Sequence, residues 1–323
     1  MKKPLKNSTI LVTGSAGFIG FHVSRALLER GDNVIGVDNF NDYYDIGLKE
    51  DRNKILETHK AYRVYHSDIR NKGPLEKIIA KEKPDILCHL AAQAGARYSL
   101  EHPGEYVQSN IEGTVNIFEA ARSHKIKDVI YASSSSVYGK NPVPWSEKQQ
   151  VNEPINPYGA SKRATELLAY TYNHLYGINM VGLRFFTVYG PWGRPDMAYF
   201  KWANKITNNE AIDVYNNGKM RRDFTYVDDI VSGTIAAIDN PKPYELYNLG
   251  NHKSEQLGTM IQLIEDGLEK KAKKNLLPMQ KGDFLENFAD IDKAKNDLGF
   301  EPTTTLDVGI AKFIEWYKEY YKI

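Results

Sequence analysis

The chain is nearly free of cysteine, carries no charge excess of either sign and lacks long apolar runs, and each shortage closes a class of function. One cysteine in 323 residues, Cys88, rules out a disulfide framework and suits a reducing compartment. It lies in the apolar run DILCHLAA, where a small buried side chain is a plainer reading than a catalytic thiol. Forty-two Lys and Arg against 41 Asp and Glu leave a formal net charge of +1, without the basic excess that nucleic-acid or membrane-surface proteins use to hold phosphates. The basic start, MKKPLKNSTILVTG, meets glycine after a few apolar residues. That run is too short for a signal-peptide core or a membrane span, so the chain reads as soluble and cytoplasmic, with no nucleic-acid or membrane partner. No His, Cys and Asp stand at metal-ligand spacing, and His89, on an apolar strand, reads as a satisfied core histidine. No metal is expected.

What is present is alternation. The β-rich runs TILVTG, NVIGVDN, DILCHLAA and DVIYASSS are separated by amphipathic stretches such as FHVSRALLERG and SNIEGTVNIFEAARSH. This pattern predicts right-handed βαβ units, hence an α/β, Rossmann-like doubly wound parallel sheet. After about Tyr176 the pattern loosens into one further strand, INMVGLRFF, a Pro/Gly-rich stretch, YGPWGRPDMA, the run AIDVYN, and helical runs near 254–270 and 306–320. The C-terminal AKFIEWYKEYYK reads as an ordinary amphipathic surface helix. The expected division is a dinucleotide-binding domain over 1–178 and, over 179–323, mainly a smaller substrate-binding lobe, with some later segments returning to the first.

TGSAGFIG puts Gly14, Gly17 and Gly20 straight after the first strand and at the start of a helix, where backbone N–H groups can approach a pyrophosphate. Asp38 ends the next strand, 18 residues beyond Gly20, placed to accept from the adenosine ribose hydroxyls. A carboxylate there repels a 2′-phosphate, which favours NAD over NADP. A glycine turn followed by a strand-end aspartate remains the bland alternative. In NPYGASKRATELLAYTY, Pro157 opens a helix that carries Tyr158 and Lys162 on one face. For Tyr158 to act as a base near neutral pH, its phenolate must be favoured by about 4 kcal/mol over the free side chain. Lys162 and an oxidised nicotinamide can supply that field. Taken alone, the pair is equally a helix-start tyrosine and a surface lysine.

Together with the HLAAQ strand end and the SSSSVYG turn, these motifs resemble the NAD-dependent epimerase/dehydratases, the extended short-chain dehydrogenase/reductases that modify nucleotide sugars. NDYYD, GARYSL, RFFTVYGPWGRPDMA, GKMRRDFTYVDDI and PMQKGDF narrow the resemblance to the UDP-glucuronate 4-epimerases, over essentially the whole chain. The resemblance implies a UDP-sugar substrate, tightly bound NAD and a homodimer. It implies that Tyr158, as phenolate, takes the proton of the sugar 4-hydroxyl, that Ser134 hydrogen-bonds the same oxygen, and that a transient 4-keto sugar turns over before it is reduced on its other face.

The cofactor positions it implies are Gly14, Gly17, Phe18, Ile19 and Gly20, then Asp38 and Asn39, with Asp68 and Ile69 near the adenine. Leu90, Ala91, Ala92, Gln93, Asn110, Ser133, Tyr158, Lys162 and Phe186 complete them. The substrate positions are Arg97, Ser134, Ser135, Ser136, Tyr158, Thr187, Arg194, Val214, Tyr215, Arg222 and Asp283, with Arg222 gripping the diphosphate and Asp283 near the uridine ribose. One position departs: many UDP-galactose epimerases carry a second diphosphate arginine where this chain has Gln280.

The turn YASSSSVYG is telling for what it omits. Relatives that expel water or carbon dioxide place Asp-Glu or Glu where Ser135 and Ser136 stand. Hydroxyls can hold a substrate carboxylate that a buried glutamate would repel, so the turn reads as holding a sugar acid. A 4-epimerase of a neutral UDP-hexose or UDP-N-acetylhexosamine, a UDP-glucuronate decarboxylase and a non-catalytic NAD-binding sensor stay as alternatives.

Overall fold

Alternating side chains on each central strand send apolar groups to both faces, and both faces are covered. The computed structural model describes residues 7–280 and 282–323; the basic start at 1–6 and Lys281 of PMQKGDF lie outside the described residues. The first half runs β1 (Thr9–Thr13), α1 (Phe18–Arg30), β2 (Asn33–Asp38), α2 (Ile46–Glu57), β3 (Tyr62–His66), α3 (Lys72–Glu82) and β4 (Ile86–His89). Two short helices follow, α4 (Tyr98–Glu101) and α5 (Pro103–Tyr106), then a π-helical turn at Val107–Glu112 that leads into α6 (Gly113–Ser123), β5 (Asp128–Ser134) and α7 (Pro157–Tyr176). The second half holds β6 (Asn179–Phe185), β7 (Thr187–Tyr189), α8 (Ala198–Thr207), β8 (Ala211–Tyr215), β9 (Arg221–Arg222), β10 (Phe224–Tyr226) and α9 (Val227–Asp239). It ends with β11 (Tyr244–Leu249), β12 (Glu255–Gln256), α10 (Leu257–Leu268), β13 (Lys273–Leu277), α11 (Asp292–Leu298) and α12 (Leu306–Tyr321).

Seven strands form one parallel sheet in the order β11-β6-β5-β4-β1-β2-β3. On β1, Ile10 and Val12 pack into one core cluster while Leu11 between them packs into the other, and Ile86, Cys88 and Leu87 of β4 divide the same way. This is the expected doubly wound α/β sheet. Two of its strands, β6 and β11, come from beyond residue 178. The remaining strands pair off in small ribbons, β7 with β10, β8 with β13 and β9 with β12.

Some elements escape the periodicity. Strand β3 reads YRVYH, polar and half exposed because it closes the sheet edge. Helix α12 buries Leu306, Ile310, Phe313 and Ile314 and faces solvent with its charges, as its pattern predicts. Chain order reverses direction in the sheet at β1, which has β2 on one side and β4 on the other. In open α/β sheets the crevice beyond such a reversal is where ligands bind.

Candidate active site

A cleft of about 250 Å³ opens at that point, floored by the turns after β1 and β4. Gly14 has φ +73°, and a Cβ there would stand 2.9 Å from the Ala91 backbone nitrogen; a Cβ on Gly20 would stand 1.9 Å from the Gly14 carbonyl oxygen. Glycine is therefore required to bring β1, β4 and the start of α1 together. Gly17 precedes α1 without a side-chain cap, and no acidic residue occupies the first turn, so the helix N-terminus presents its N–H groups beside Phe18, Ile19 and Gly20 on the cleft wall. Asp38 accepts from the Ala16 N–H at 3.1 Å through Oδ2 and from the Phe40 N–H at 2.9 Å through Oδ1. Asn39 donates to Asp68, which stands with Ile69 at the same end. A glycine cradle, a bare helix N-terminus and a strand-end carboxylate fit the diphosphate and ribose of a dinucleotide.

Leu90, Ala91, Ala92 and Gln93 line the opposite wall, and Ser133, Ser134, Tyr158, Lys162 and Phe186 close the inner end. Helix α7 is capped by Asn156, whose side chain accepts from the Gly159 N–H at 2.8 Å, with Pro157 in the first turn. That cap fixes Tyr158 at the cleft and puts Lys162 one turn further in. The Lys162 ammonium, 5% exposed, donates to the Ala132 carbonyl at 2.9 Å, and burial draws its pKa down to about 8 against the pull of Glu166. Burial raises the Tyr158 phenol above its ordinary value, while a hydrogen bond with Ser134 and the charge of Arg194 draw it down. Burial outweighs these two, so a phenolate needs a further positive field, the one expected of Lys162 together with an oxidised nicotinamide.

The serines divide their labour. Ser133 donates to Glu166 at 2.6 Å, Ser134 accepts from the Ser136 N–H at 3.1 Å, and both line the cleft. Ser135 and Ser136 start the short helical turn beyond and are not among the lining residues; nor is Thr187, which stands between the lining residues Phe186 and Val188. Asn110 also lies off the wall. Its side chain accepts from the Gln93 N–H and donates to the Gln93 carbonyl and to Ser161, bracing the wall from behind.

A second group of expected residues meets outside the cleft. Arg222 donates to Asp283 at 2.6 Å, Arg97 stands 3.7 Å from the same carboxylate, and its guanidinium lies 4.6 Å from the centre of the Tyr215 ring; Val214 is buried beside Tyr215. Three stretches distant in sequence, at 97, 214–222 and 283, converge there. His89 is a core histidine as expected, bridging Thr13 at 2.8 Å and Thr114 at 3.0 Å, with its pKa drawn down to about 3 by burial. Burial likewise pushes the Cys88 thiol up to about 12. Among the described residues no cluster could hold a metal ion, and no helix is long and apolar enough to cross a membrane.

Sequence reasoning missed Tyr43, Lys49 and Arg52. Lys49, on the cleft wall and 4% exposed, donates to the Asn41 backbone and side-chain oxygens at 2.6 Å, and burial draws its pKa to about 8. Arg52, fully buried, donates to the carbonyls of Ala16, Trp192 and Gly193 and to the Tyr44 hydroxyl. It fastens the loop that carries Arg194 to the glycine turn. Their stretch, LKEDRNK, reads as a solvated helix face; the signal was the NDYYD tyrosines just before it.

A family model described as "NAD dependent epimerase/dehydratase family" matches residues 10–250. The uncharacterized protein MJ1055 of Methanocaldococcus jannaschii is 50% identical over 98% of both chains. UDP-glucuronate 4-epimerase 4 of Arabidopsis thaliana is 46% identical over 97% of this chain and 76% of its own length. The crystal structure of UDP-glucuronic acid 4-epimerase from Bacillus cereus, in complex with UDP-glucuronic acid and NAD, superposes with a TM-score of 0.91 at 35% identity, covering 97% of this chain and all of that one.

Proposed function

The chain belongs to the NAD dependent epimerase/dehydratase family, and from that premise we propose that it converts UDP-glucuronate to UDP-galacturonate by NAD-dependent 4-epimerisation through a transient 4-keto sugar. The observation that carries this reading is one cleft holding the dinucleotide cradle, the Ser134–Tyr158–Lys162 set and Arg194 together. When bound, NAD supplies a reversible hydride site at the sugar C4. The chain's own residues do the rest. Gly14, Gly17 and the start of α1 hold the diphosphate, and Asp38 accepts from the ribose hydroxyls. Tyr158 moves the proton of the 4-hydroxyl, Ser134 orients that oxygen, and Lys162 braces the strand end at Ala132 behind them.

The Arg222–Asp283 pair, with Arg97 and Tyr215, marks the uridine diphosphate end, and Arg194 the sugar end. Ser135, Ser136 and Thr187 border this region and would turn toward the sugar acid. Residues 1–178 chiefly bind the dinucleotide and 179–323 chiefly the UDP-sugar. A homodimer is supported by Leu167 and Tyr170, 54% and 55% exposed and adjacent on the outer face of α7. A cytoplasmic site accords with a single, buried cysteine.

Nucleotide-sugar chromatography of the purified holoenzyme tests the reaction. UDP-glucuronate is expected to give UDP-galacturonate with little UDP-pentose. Release of mainly a 4-keto pentose or UDP-xylose, or turnover of UDP-glucose with none of UDP-glucuronate, would overturn it.

A further inference from the structure

Arg194 does not stand free at the inner end of the cleft. Asp196 takes its Nε at 2.9 Å and its Nη2 at 2.5 Å, a side-on pair in which both side chains are about four-fifths buried. A guanidinium has two such edges, and the second, through Nη1, has no partner among the described residues. The Tyr43 hydroxyl donates to Asp196 Oδ2 at 3.3 Å. That hydroxyl is seated by an absence: a Cβ on Gly95 would lie 2.5 Å from it, and the Tyr43 ring meets Tyr98 edge-on at 5.0 Å. Against the upward pull of burial, Arg194 holds the Asp196 carboxyl below its usual range, so the pair is ionic.

Building on the acid-sugar reading above, we infer that Asp196, steadied by Tyr43, is a positioning residue that fixes Arg194 with its second edge offered to the carboxylate of the sugar, and that this arrangement sets the preference for an acid over a neutral UDP-sugar. An untethered arginine would spread over many rotamers and meet a carboxylate only after ordering. Tethered by one edge, it meets the acid group with the other at little further entropic cost. A neutral hydroxymethyl group gains nothing from the same edge beyond an ordinary hydrogen bond.

The test is calorimetric binding of UDP-glucuronate and UDP-glucose to NAD-loaded protein in the Tyr158→Phe background, which stops turnover. Asp196→Ala is expected to weaken UDP-glucuronate by about tenfold or more and UDP-glucose by less than about threefold. Asp196→Asn, which keeps one acceptor oxygen, falls between, and Tyr43→Phe weakens the acid sugar alone, by about threefold. Equal weakening of both sugars, as a collapsed loop would give, overturns the inference. So does tighter binding of the acid, which would make Asp196 its competitor. Wild-type product analysis keeps the two readings apart: no UDP-galacturonate from UDP-glucuronate sinks the substrate assignment itself, whereas normal conversion with an unchanged acid-to-neutral ratio in Asp196→Ala sinks only the role of Asp196.

Discussion

Replacing Glu166 with glutamine will show how far the reactive end depends on a buried ion pair beneath it. Glu166 is fully buried on α7, one turn beyond Lys162, and accepts four hydrogen bonds: from Ser133 at 2.6 Å, from Arg184 Nε at 2.8 Å and Nη2 at 2.9 Å, and from Arg163 at 3.0 Å. Arg184, 1% exposed, comes from β6 and Ser133 from β5, so one carboxylate ties the catalytic helix to two central strands. Glutamine keeps the shape but sets an NH₂ against donors and leaves Arg184 charged in a dry interior. Breaking a buried pair in this way costs about 3–5 kcal/mol. At roughly 2 °C per kcal/mol for a chain of this size, thermal unfolding should come about 6–10 °C earlier. Glu166→Gln combined with Arg184→Met removes both charges and should melt above the sum of the two single losses by at least about 1 kcal/mol. Glu29→Gln, in the exposed pair with Arg25, should leave the melt within about 1 °C of wild type. Scans at one fixed heating rate, with bound NAD quantified, make the comparison. A Glu166→Gln protein that melts with wild type, or strict additivity in the double variant, refutes the reasoning.

Tyr158→Phe keeps the ring and removes the proton carrier, so turnover should fall by about 10² to 10⁴-fold while NAD still copurifies; wild-type turnover would show that another group carries the proton. His22 and His89 are both drawn down to about 3 by burial, so the unfolded chain binds protons at each that the folded one refuses. Their contribution is intact above the ordinary histidine value of 6.5 and is lost as pH falls from there toward 3. At pH 5 each should subtract about 2 kcal/mol, read as a falling urea midpoint, and His89→Asn should flatten that slope while lowering stability at pH 7.5. Identical slopes in the two proteins would contradict it.

The glycine turn, Asp38, and the Tyr158 and Lys162 pair were legible in sequence because each depends on spacing within a single βαβ unit or helix, where local geometry dictates the contact. What makes Arg222, Asp283, Arg97 and Tyr215 neighbours is packing between segments up to 186 residues apart, from Arg97 to Asp283, and only their likeness to a family brought them together beforehand. The return of β6 and β11 to the central sheet has no local mark either, since an edge strand such as YELYNL reads like many half-buried strands. Lys49 and Arg52 were hidden for the opposite reason. Charged residues three apart on a helix normally face water, and here tertiary contact turns that face inward.

The seat of Arg52 bears on how firmly the loop at 190–197 is held. All its partners are uncharged oxygens: the Ala16 carbonyl in the glycine turn, the Tyr44 hydroxyl, and the carbonyls of Trp192 and Gly193 through three contacts. Drawing the loop away by a small distance would leave a fully buried cation short of several acceptors at once, with no water to replace them. The seat therefore holds the loop firmly against the glycine turn. The same guanidinium reaches the turn of the dinucleotide cradle at Ala16 and the loop that carries Arg194. The two ends of the cleft thus share one support, a single buried side chain.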